Sequence, residues 1–193
     1  MREFIYFSST ARTSGNFDTS NLIFAGRMDI AVHVIIGAFY LSMKVRDDVK
    51  IHLVFYGMPD PPKHIELSLS PGVSIAKTDV AGMIKRVLYK YKEGEKREVF
   101  PGCFVEKKSL QKVVEELSDE GKEIFILDKK GEDIRSAKIP NGCVFILGDQ
   151  DGILLKEMKR LKQIANSVSI GNRIYFASQV VAVVNNELDR RGI

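Results

Sequence analysis

The sequence predicts an α/β fold with a mostly parallel sheet flanked by helices. Seven strand-like runs alternate with helical stretches along the 193 residues, and this alternation is typical of parallel sheets with helical crossovers. Several of the runs are continuously apolar and rich in Ile, Val and Phe, as expected for strands that are buried on both faces. No run reaches the roughly 18 apolar residues that would indicate a membrane span.

The predicted strands are short and are separated by turn residues or by helical patterns. They cover residues 2–7, 49–56, 63–69, 102–106, 123–127, 143–147 and 167–170. The stretches MPDPPK at 58–63 and PGVS at 71–74 are predicted loops. No linker interrupts the chain, and its length suits one domain, so we expect a single domain over residues 1–193.

The predicted helices show apolar residues at helical spacing. Ser109 is a plausible N-cap of one helix, which Gly121 ends. Thr78 is a candidate cap for a second helix, and a third follows Asp151 and continues to Ala165. Residues 29–42 are apolar almost all round, so this helix should be buried or lie at an interface.

The charge of the chain favours an anionic partner. The formal net charge is +4, and the excess is concentrated in KRVLYKYKEGEKR at residues 85–97, where two tyrosines separate the basic residues. Such a segment could follow phosphates or stack a base. A solvated helix face followed by a polar loop is the alternative. We take Lys85 and Arg86 from this stretch as candidate RNA contacts.

The two cysteines, Cys103 and Cys143, indicate neither a disulfide framework nor a zinc site, because their separation matches no such spacing. We therefore expect no metal and a reducing compartment, the cytoplasm. The start of the chain, MREFIYFSS, lacks the long apolar region of a signal peptide.

Three predicted strand ends carry glycine and polar residues, and ligands of such sheets bind outside the carboxyl ends of the strands. They are residues 126–133, 146–153 and 169–179. None matches a phosphate-binding loop, but a nucleoside cofactor without phosphate could bind there. Three ordinary surface turns are the alternative reading.

The order ILD, ILGDQDG and SIGNRIYFASQVVAVVNNELDR resembles the C-terminal half of SPOUT methyltransferases. The N-terminal half, with GRMD before an apolar helix and FYGMPDPP after a strand, is similar to the archaeal tRNA pseudouridine N1-methyltransferases. The resemblance covers nearly the whole chain. It implies a C-terminal trefoil knot over about residues 123–193, whose loops bind S-adenosylmethionine.

The resemblance also implies which residues contact the cofactor: Leu127, Gly148, Ser169, Ile170, Gly171, Tyr175, Ala177 and Val180. Asp149 and Gln150 follow the loop glycine, and we expect them to stabilise its conformation. Members of the family typically have a Cys at the position of Val180, so this chain departs from the pattern there. A thiol-dependent step is in doubt for that reason, because Val cannot form a thiolate.

The implied reaction is methyl transfer to N1 of the T-loop pseudouridine of tRNA. Asp29 of GRMD is the candidate catalytic residue, either as an acceptor for the ring N–H or by orienting the ring. The alternative is that Asp29 is only the N-cap of its helix. Arg27 could meet RNA phosphate or form a surface ion pair, and His33 is expected to be packed and hydrogen-bonded.

Other functions remain open from the sequence. The target could be a pseudouridine of ribosomal RNA, or the chain could be a non-catalytic RNA-binding protein that keeps the cofactor fold. SPOUT proteins generally work as dimers, and the apolar helices at 29–42 and 177–188 offer surface for a homodimer interface. A monomer with both helices in its own core is the competing interpretation.

Overall fold

The computed structural model describes residues 1–69 and 75–193. Within these ranges the strands are β1 (Arg2–Ser8), β2 (Val49–Phe55), β3 (Lys63–Ser68), β4 (Arg97–Phe100), β5 (Cys103–Glu106), β6 (Ile124–Asp133), β7 (Val144–Gly148) and β8 (Asn166–Ser169). The α-helices are α1 (Met28–Phe39), α2 (Val80–Tyr89), α3 (Leu110–Asp119), α4 (Leu155–Leu161) and α5 (Ala177–Arg191). The predicted loop at 71–74 lies outside the described residues.

The described strands form one sheet in the order β4-β5-β3-β2-β1-β7-β6-β8. The ladders of β1 with β2 and β7, and of β6 with β7 and β8, are parallel. The ladders of β3 with β2 and β5, and of β4 with β5, are antiparallel. The prediction of an α/β fold with a mostly parallel sheet is confirmed, and an antiparallel extension is added at one edge.

Each predicted strand has a counterpart in the structure, but β4 is an additional strand. Its four residues, REVF, are exposed or half-buried, so they lack the apolar run that identifies a buried strand. β6 continues beyond the predicted end at 127 to Asp133, across an irregularity in its pairing with β8 between Leu127 and Glu132. Sequence periodicity does not indicate such a shift in register.

The sheet is covered on both faces, because alternate residues of β1 point to opposite sides. Phe4 and Tyr6 pack in a core that includes residues of α1, α2 and α5. Ile5 and Phe7 pack in a second core with residues of α3 and Leu161 of α4. This arrangement explains why the central strand has an uninterrupted apolar sequence.

The cap predicted at Ser109 is confirmed, because its Oγ accepts a hydrogen bond from the Lys112 N–H at 3.3 Å. Gly121 follows the end of α3 with a φ of 79°, a backbone conformation that favours glycine. The cap predicted at Thr78 is wrong. Thr78 lies inside a short 3-10 turn, Lys77–Asp79, and α2 begins after it.

At the start of α1, the alternative that Asp29 is the N-cap and the expectation of a packed His33 are both wrong. Asp29 is not the N-cap, because α1 begins at Met28 and Arg27 occupies the cap position with a left-handed φ of 62°. His33 is exposed rather than packed, because the helix buries the residues on either side of it, Val32 and Val34, against the core.

The two apolar helices pack against each other within one chain. A Cβ at Gly37 of α1 would lie 2.8 Å from the carbonyl oxygen of Ser178 in α5, so glycine permits the close approach. Asn185 of α5 donates from Nδ2 to the Ala38 carbonyl oxygen at 3.3 Å. Among the described helices, none has the length and apolar character needed to cross a membrane.

Candidate cofactor and substrate site

A cavity of about 870 Å³ lies at the carboxyl ends of β7 and β8 and beside residues 127–129 in the middle of β6. Its walls come from the three glycine-bearing segments that the sequence singles out, with further residues from α4, α5 and α1. All eight residues that the resemblance assigns to the cofactor line it: Leu127, Gly148, Ser169, Ile170, Gly171, Tyr175, Ala177 and Val180. Their contact with a cofactor stays a prediction, and the fold brings them together around one cavity.

The turn at residues 148–152 is tightly closed. The Gly152 N–H donates to the Asp149 carbonyl oxygen at 3.0 Å, and Gly152 has a left-handed φ of 77°. A Cβ at Gly148 would lie 2.5 Å from the carbonyl carbon of Gly152, closer than atoms in contact allow. Glycine at 148 is therefore required for the chain to turn back on itself at the cavity wall.

Asp149 fixes this turn to the strand beside it. Its Oδ2 accepts hydrogen bonds from Ser8 Oγ at 2.8 Å and from the Ser9 N–H at 3.1 Å. Its Oδ1 accepts from the Asp151 N–H at 3.0 Å. The carboxylate thus stabilises the turn as expected, whereas Gln150 is exposed and donates only to the Asp151 side chain.

The third turn is held by a local side chain. Ser169 Oγ accepts from the Gly171 N–H at 3.1 Å, and Gly171 adopts a φ of 133° that favours glycine. Tyr175 and Phe176 then lie exposed before α5 begins at Ala177. The first turn of α5 places Val180 in the cavity wall.

The lining has the character that a sulfonium nucleoside needs. Apolar side chains, among them Leu147, Met158 and Val168, form much of the wall and suit a purine ring. The turns supply backbone N–H and C=O groups for the polar edge of the ring. Asp128 and Asp151 add carboxylates to the lining, which favour a cationic ligand. The residues therefore fit S-adenosylmethionine.

Arg27 and Asp29 form an ion pair next to the cavity. The guanidinium donates from Nε to Oδ1 and from Nη2 to Oδ2, each at 3.0 Å, which is the bidentate geometry of a strong pair. The hydrogen bond from Arg27 holds the pKa of Asp29 below its ordinary value. Neither side chain lines the cavity, but Ile30, the next residue of α1, does.

The other two predicted RNA contacts lie on α2, away from the cavity lining. Lys85 Nζ donates to the Phe17 carbonyl oxygen at 2.7 Å. Arg86 pairs with Asp79 at 2.7 Å on the surface. Both cations are therefore engaged within the chain.

The cavity lining contains no cysteine among the described residues. Cys103 and Cys143 are buried and free, and burial raises their pKa values to about 12 and about 11. A thiolate at either position is disfavoured at neutral pH. The structure thus offers no replacement for the thiol that Val180 lacks.

Residues 8–13, here called the hub loop, form hydrogen bonds with three separate segments around the cavity. The sequence alone did not assign these residues to the site. Ser8 binds Asp149, Thr10 Oγ1 donates to the Gly26 carbonyl oxygen at 3.1 Å, and the Gly57 N–H donates to the Ala11 carbonyl oxygen at 3.1 Å. The loop therefore contacts all three motifs GDQDG, GRMD and FYGMPDPP. The one available signal was a run of Ser and Thr after a buried strand, which is also typical of ordinary turns.

Comparison with known proteins identifies the family. The family model described as "Putative SAM-dependent RNA methyltransferase" matches residues 1–193. A tRNA (pseudouridine(54)-N(1))-methyltransferase of Methanococcoides burtonii is 34% identical over 196 residues, covering 98% of this chain and 96% of the relative. A protein of the same name from Pyrococcus abyssi is 32% identical over 204 residues, covering 100% of both chains.

The fold comparison agrees with the sequence comparison. The solved structure of Archaeoglobus fulgidus Nep1 bound to S-adenosylhomocysteine matches with a TM-score of 0.63 over 99% of each chain. At 14% identity this likeness concerns the fold alone. The sequence resemblance is confirmed: the chain belongs to the family of SAM-dependent RNA methyltransferases that contains the archaeal tRNA (pseudouridine(54)-N(1))-methyltransferases.

Proposed function

We propose that the protein is an S-adenosylmethionine-dependent methyltransferase acting on N1 of pseudouridine 54 in the T loop of tRNA. The observation that carries this proposal is the cavity at the carboxyl ends of β7 and β8 and beside the middle of β6, which all eight implied cofactor residues line. The full-length similarity to relatives named for this activity supports the choice of substrate.

The residues of the cavity have separate tasks in this reaction. Leu127, Ile170 and Val180 form apolar wall for the nucleoside, and the turns at 148–152 and 169–171 present backbone polar groups. When bound, S-adenosylmethionine supplies a methyl group activated by its sulfonium. The chain holds that group at a fixed place, and alignment of the reacting atoms contributes much of the rate.

Asp29 orients the target base rather than removing its proton. A free Asp titrates near 3.9, and the hydrogen bond from Arg27 lowers the pKa of Asp29 further. So weak a base is poorly matched to a ring N–H. An ionised carboxylate fixed by Arg27 can, however, accept a hydrogen bond from that N–H.

The proposal includes the chain topology and the assembly. Residues from about 123 to 193 form a trefoil knot. The strand order supports this, because β7 and β8 follow each other in the sequence but lie on opposite sides of β6. A crystallographic trace without a threaded loop would exclude the knot.

The working unit is a homodimer, supported by exposed Leu155, Ile174 and Phe176 near the cavity. Sedimentation at the monomer mass would contradict it.

The deciding experiment is methyl transfer from radioactive S-adenosylmethionine to matched tRNA transcripts. A transcript with pseudouridine at position 54 should be labelled, and the transcript with uridine should not, because uridine has no N–H at N1. Labelling of a ribosomal RNA fragment alone would support the ribosomal alternative. Calorimetric binding of S-adenosylmethionine without labelling of either RNA would support a non-catalytic RNA-binding protein. The cytoplasm, where tRNA acts, is the proposed compartment.

A further inference from the structure

We propose that Arg12 binds a backbone phosphate of the tRNA substrate, next to the site of methyl transfer. This inference rests on the proposed function and adds to it a residue that the sequence reasoning did not assign. It is carried by three observations: a rigid backbone at Arg12, a guanidinium without an internal partner, and a position between the motifs of the site.

The backbone of the hub loop is fixed on both sides of Arg12. The Arg12 N–H donates to the Ala25 carbonyl oxygen at 3.1 Å, and the Thr13 N–H donates to the Met58 carbonyl oxygen at 3.2 Å. Thr13 Oγ1 also donates to the Gly57 carbonyl oxygen at 2.8 Å. The Arg12 side chain therefore starts from a well-defined place.

Two glycines allow the neighbouring segments to pack directly on this loop. A Cβ at Gly26 would lie 1.8 Å from the Thr10 carbonyl oxygen, and a Cβ at Gly57 would lie 2.2 Å from the same oxygen. Side chains at these positions would push the segments away from the loop. The close contact holds Arg12 between the GRMD turn and the MPDPP loop.

The guanidinium of Arg12 has no partner in the described part of the chain. Its Nε is buried and has no hydrogen-bond acceptor, and the ion pairs found among residues 1–69 and 75–193 do not include it. The other well-buried or half-buried arginines behave differently, since each meets a carboxylate: Arg2, Arg27, Arg46 and Arg191.

A partly buried charge without a partner is unfavourable for the free protein. Its retention is explained if an external anion completes the site. A guanidinium presents several donors in a plane and binds phosphate oxygens in a bidentate manner. The chemistry of Arg12 therefore matches the backbone of a nucleic acid.

The position of Arg12 relates it to the reaction. The hub loop binds the cofactor-site turn through Asp149, and Arg12 itself is hydrogen-bonded to Ala25, two residues before Arg27. Because Arg27 is paired with Asp29, Lys85 with a carbonyl and Arg86 with Asp79, those cations are already engaged. Arg12 keeps its hydrogen-bonding capacity for RNA, as do Lys129 and Arg173 of the cavity lining, but unlike an exposed cation it has a buried Nε without an acceptor in the described part of the chain.

The test measures binding of a pseudouridine-containing T-arm RNA to Arg12→Gln and Arg12→Lys at several salt concentrations. We expect Arg12→Gln to weaken RNA binding about 10-fold. The slope of log affinity against log salt concentration, here called the salt slope, should become shallower by about one. Arg12→Lys should keep the salt slope and recover part of the affinity, because it retains the charge without the planar fork. S-adenosylmethionine affinity, measured by calorimetry, should change less than 2-fold.

The matched control is Arg190→Gln, an exposed arginine near the end of α5. The preceding residue, Asp189, pairs with Arg2 at the start of β1, so Arg190 lies near the amino ends of the parallel strands, opposite the cavity at their carboxyl ends. Its replacement should leave RNA affinity and salt slope unchanged. Thermal unfolding of all three variants identifies any loss of folded protein.

The outcomes separate the two proposals. If the wild-type protein binds and methylates the RNA but Arg12→Gln binds it with unchanged affinity and salt slope, the role of Arg12 is wrong and the proposed function stands. If the wild-type protein neither binds nor methylates the RNA, both proposals are overturned. Equal losses in Arg12→Gln and Arg190→Gln would also contradict a specific phosphate contact.

Discussion

The carboxylate of Asp29 receives two hydrogen bonds, each 3.0 Å long, from the guanidinium of Arg27 two residues earlier. The pairing depends on the left-handed backbone of Arg27, which turns the chain into α1. It keeps Asp29 ionised at neutral pH, because the hydrogen bond from Arg27 lowers its pKa. A fixed acceptor at the start of a buried helix is suited to orienting a substrate ring.

Replacing Asp29 by Ala should slow methyl transfer on the order of 10²-fold, the effect expected when a reacting group loses its alignment. S-adenosylmethionine affinity should stay within 2-fold, since Asp29 does not line the cavity. Single-turnover kinetics and calorimetry measure the two quantities. Asp79→Ala is the control, because it breaks a similar Arg–Asp pair between α2 and the 3-10 turn before it. Unchanged turnover in Asp29→Ala would show that Asp29 has a structural role and does not orient the substrate.

Replacing Asp149 by Ala should weaken S-adenosylmethionine binding by about 10-fold or more. The change removes three hydrogen bonds that a carboxylate accepts, and bonds to charged groups contribute about 1.5–3 kcal/mol each. Calorimetry on Asp149→Ala and Ser8→Ala should show the smaller loss for Ser8. Gln150→Ala, in the same turn but exposed, removes only a hydrogen bond to Asp151, so it should lose less affinity than Asp149→Ala. Equal affinity in all three variants would show that cofactor binding does not depend on the hydrogen bonds of Asp149.

Replacing Gly148 by Ala should lower the free energy of unfolding by about 1–3 kcal/mol, as expected for an overpacked site. The new Cβ would lie 2.5 Å from the Gly152 backbone, so the turn must open and cofactor binding should be lost. Urea unfolding and calorimetry test both effects. Gly142→Ala meets open space but has a left-handed φ of 75°, so it should affect stability alone. Normal cofactor binding in Gly148→Ala would contradict this account.

A buried polar chain crosses four strands on the face of the sheet that bears α3. Glu3 Oε2 lies 3.0 Å from His52 Nε2, His52 Nδ1 lies 2.9 Å from His64 Nε2, and His64 Nδ1 lies 3.0 Å from Glu106 Oε1. Each of these three contacts needs one proton.

The proton positions follow from the pKa directions. Burial opposes ionisation of Glu3, but hydrogen bonds from His52 and Lys122 outweigh it and bring its pKa to about 2. Burial lowers the pKa of His64 to about 4, so His64 is neutral at pH 7. A neutral His64 that donates from Nδ1 to Glu106 accepts a hydrogen bond at Nε2. Nitrogen NMR of the histidine rings should find a single proton on the ring nitrogens of His64 at pH 7, on Nδ1.

The same chain predicts a pH dependence of stability. The unfolded chain protonates His64 near its ordinary value of 6.5, whereas the folded chain does so only near pH 4. The unfolded state therefore binds more protons in this window, and the free energy of unfolding should fall by up to about 3 kcal/mol as pH drops from 6.5 to 4. His64→Gln should flatten this slope in urea titrations, and exposed His33→Gln should not. Identical slopes for wild type and His64→Gln would refute the assignment.

Much of this architecture can be predicted from sequence patterns. Continuous apolar runs such as VFIL before Gly148 indicate strands buried on both faces. Glycine and acids directly after such runs place turns at the carboxyl ends of the parallel strands, where ligands bind. These features depend on neighbouring residues, so local patterns are sufficient to find them, and the cavity lies where they predict it.

Other features depend on residues far apart in the chain. Asp149 meets Ser8 across 141 positions, and His52 meets His64 only because β2 and β3 pair in one particular register. Thr78 has a good cap sequence but lies in a 3-10 turn, and the lack of a partner for Arg12 appears only when its surroundings are assembled. Local sequence thus determines the elements and the turns that end them. Strand order, register and packing between distant segments determine which polar groups meet and which stay free for a substrate.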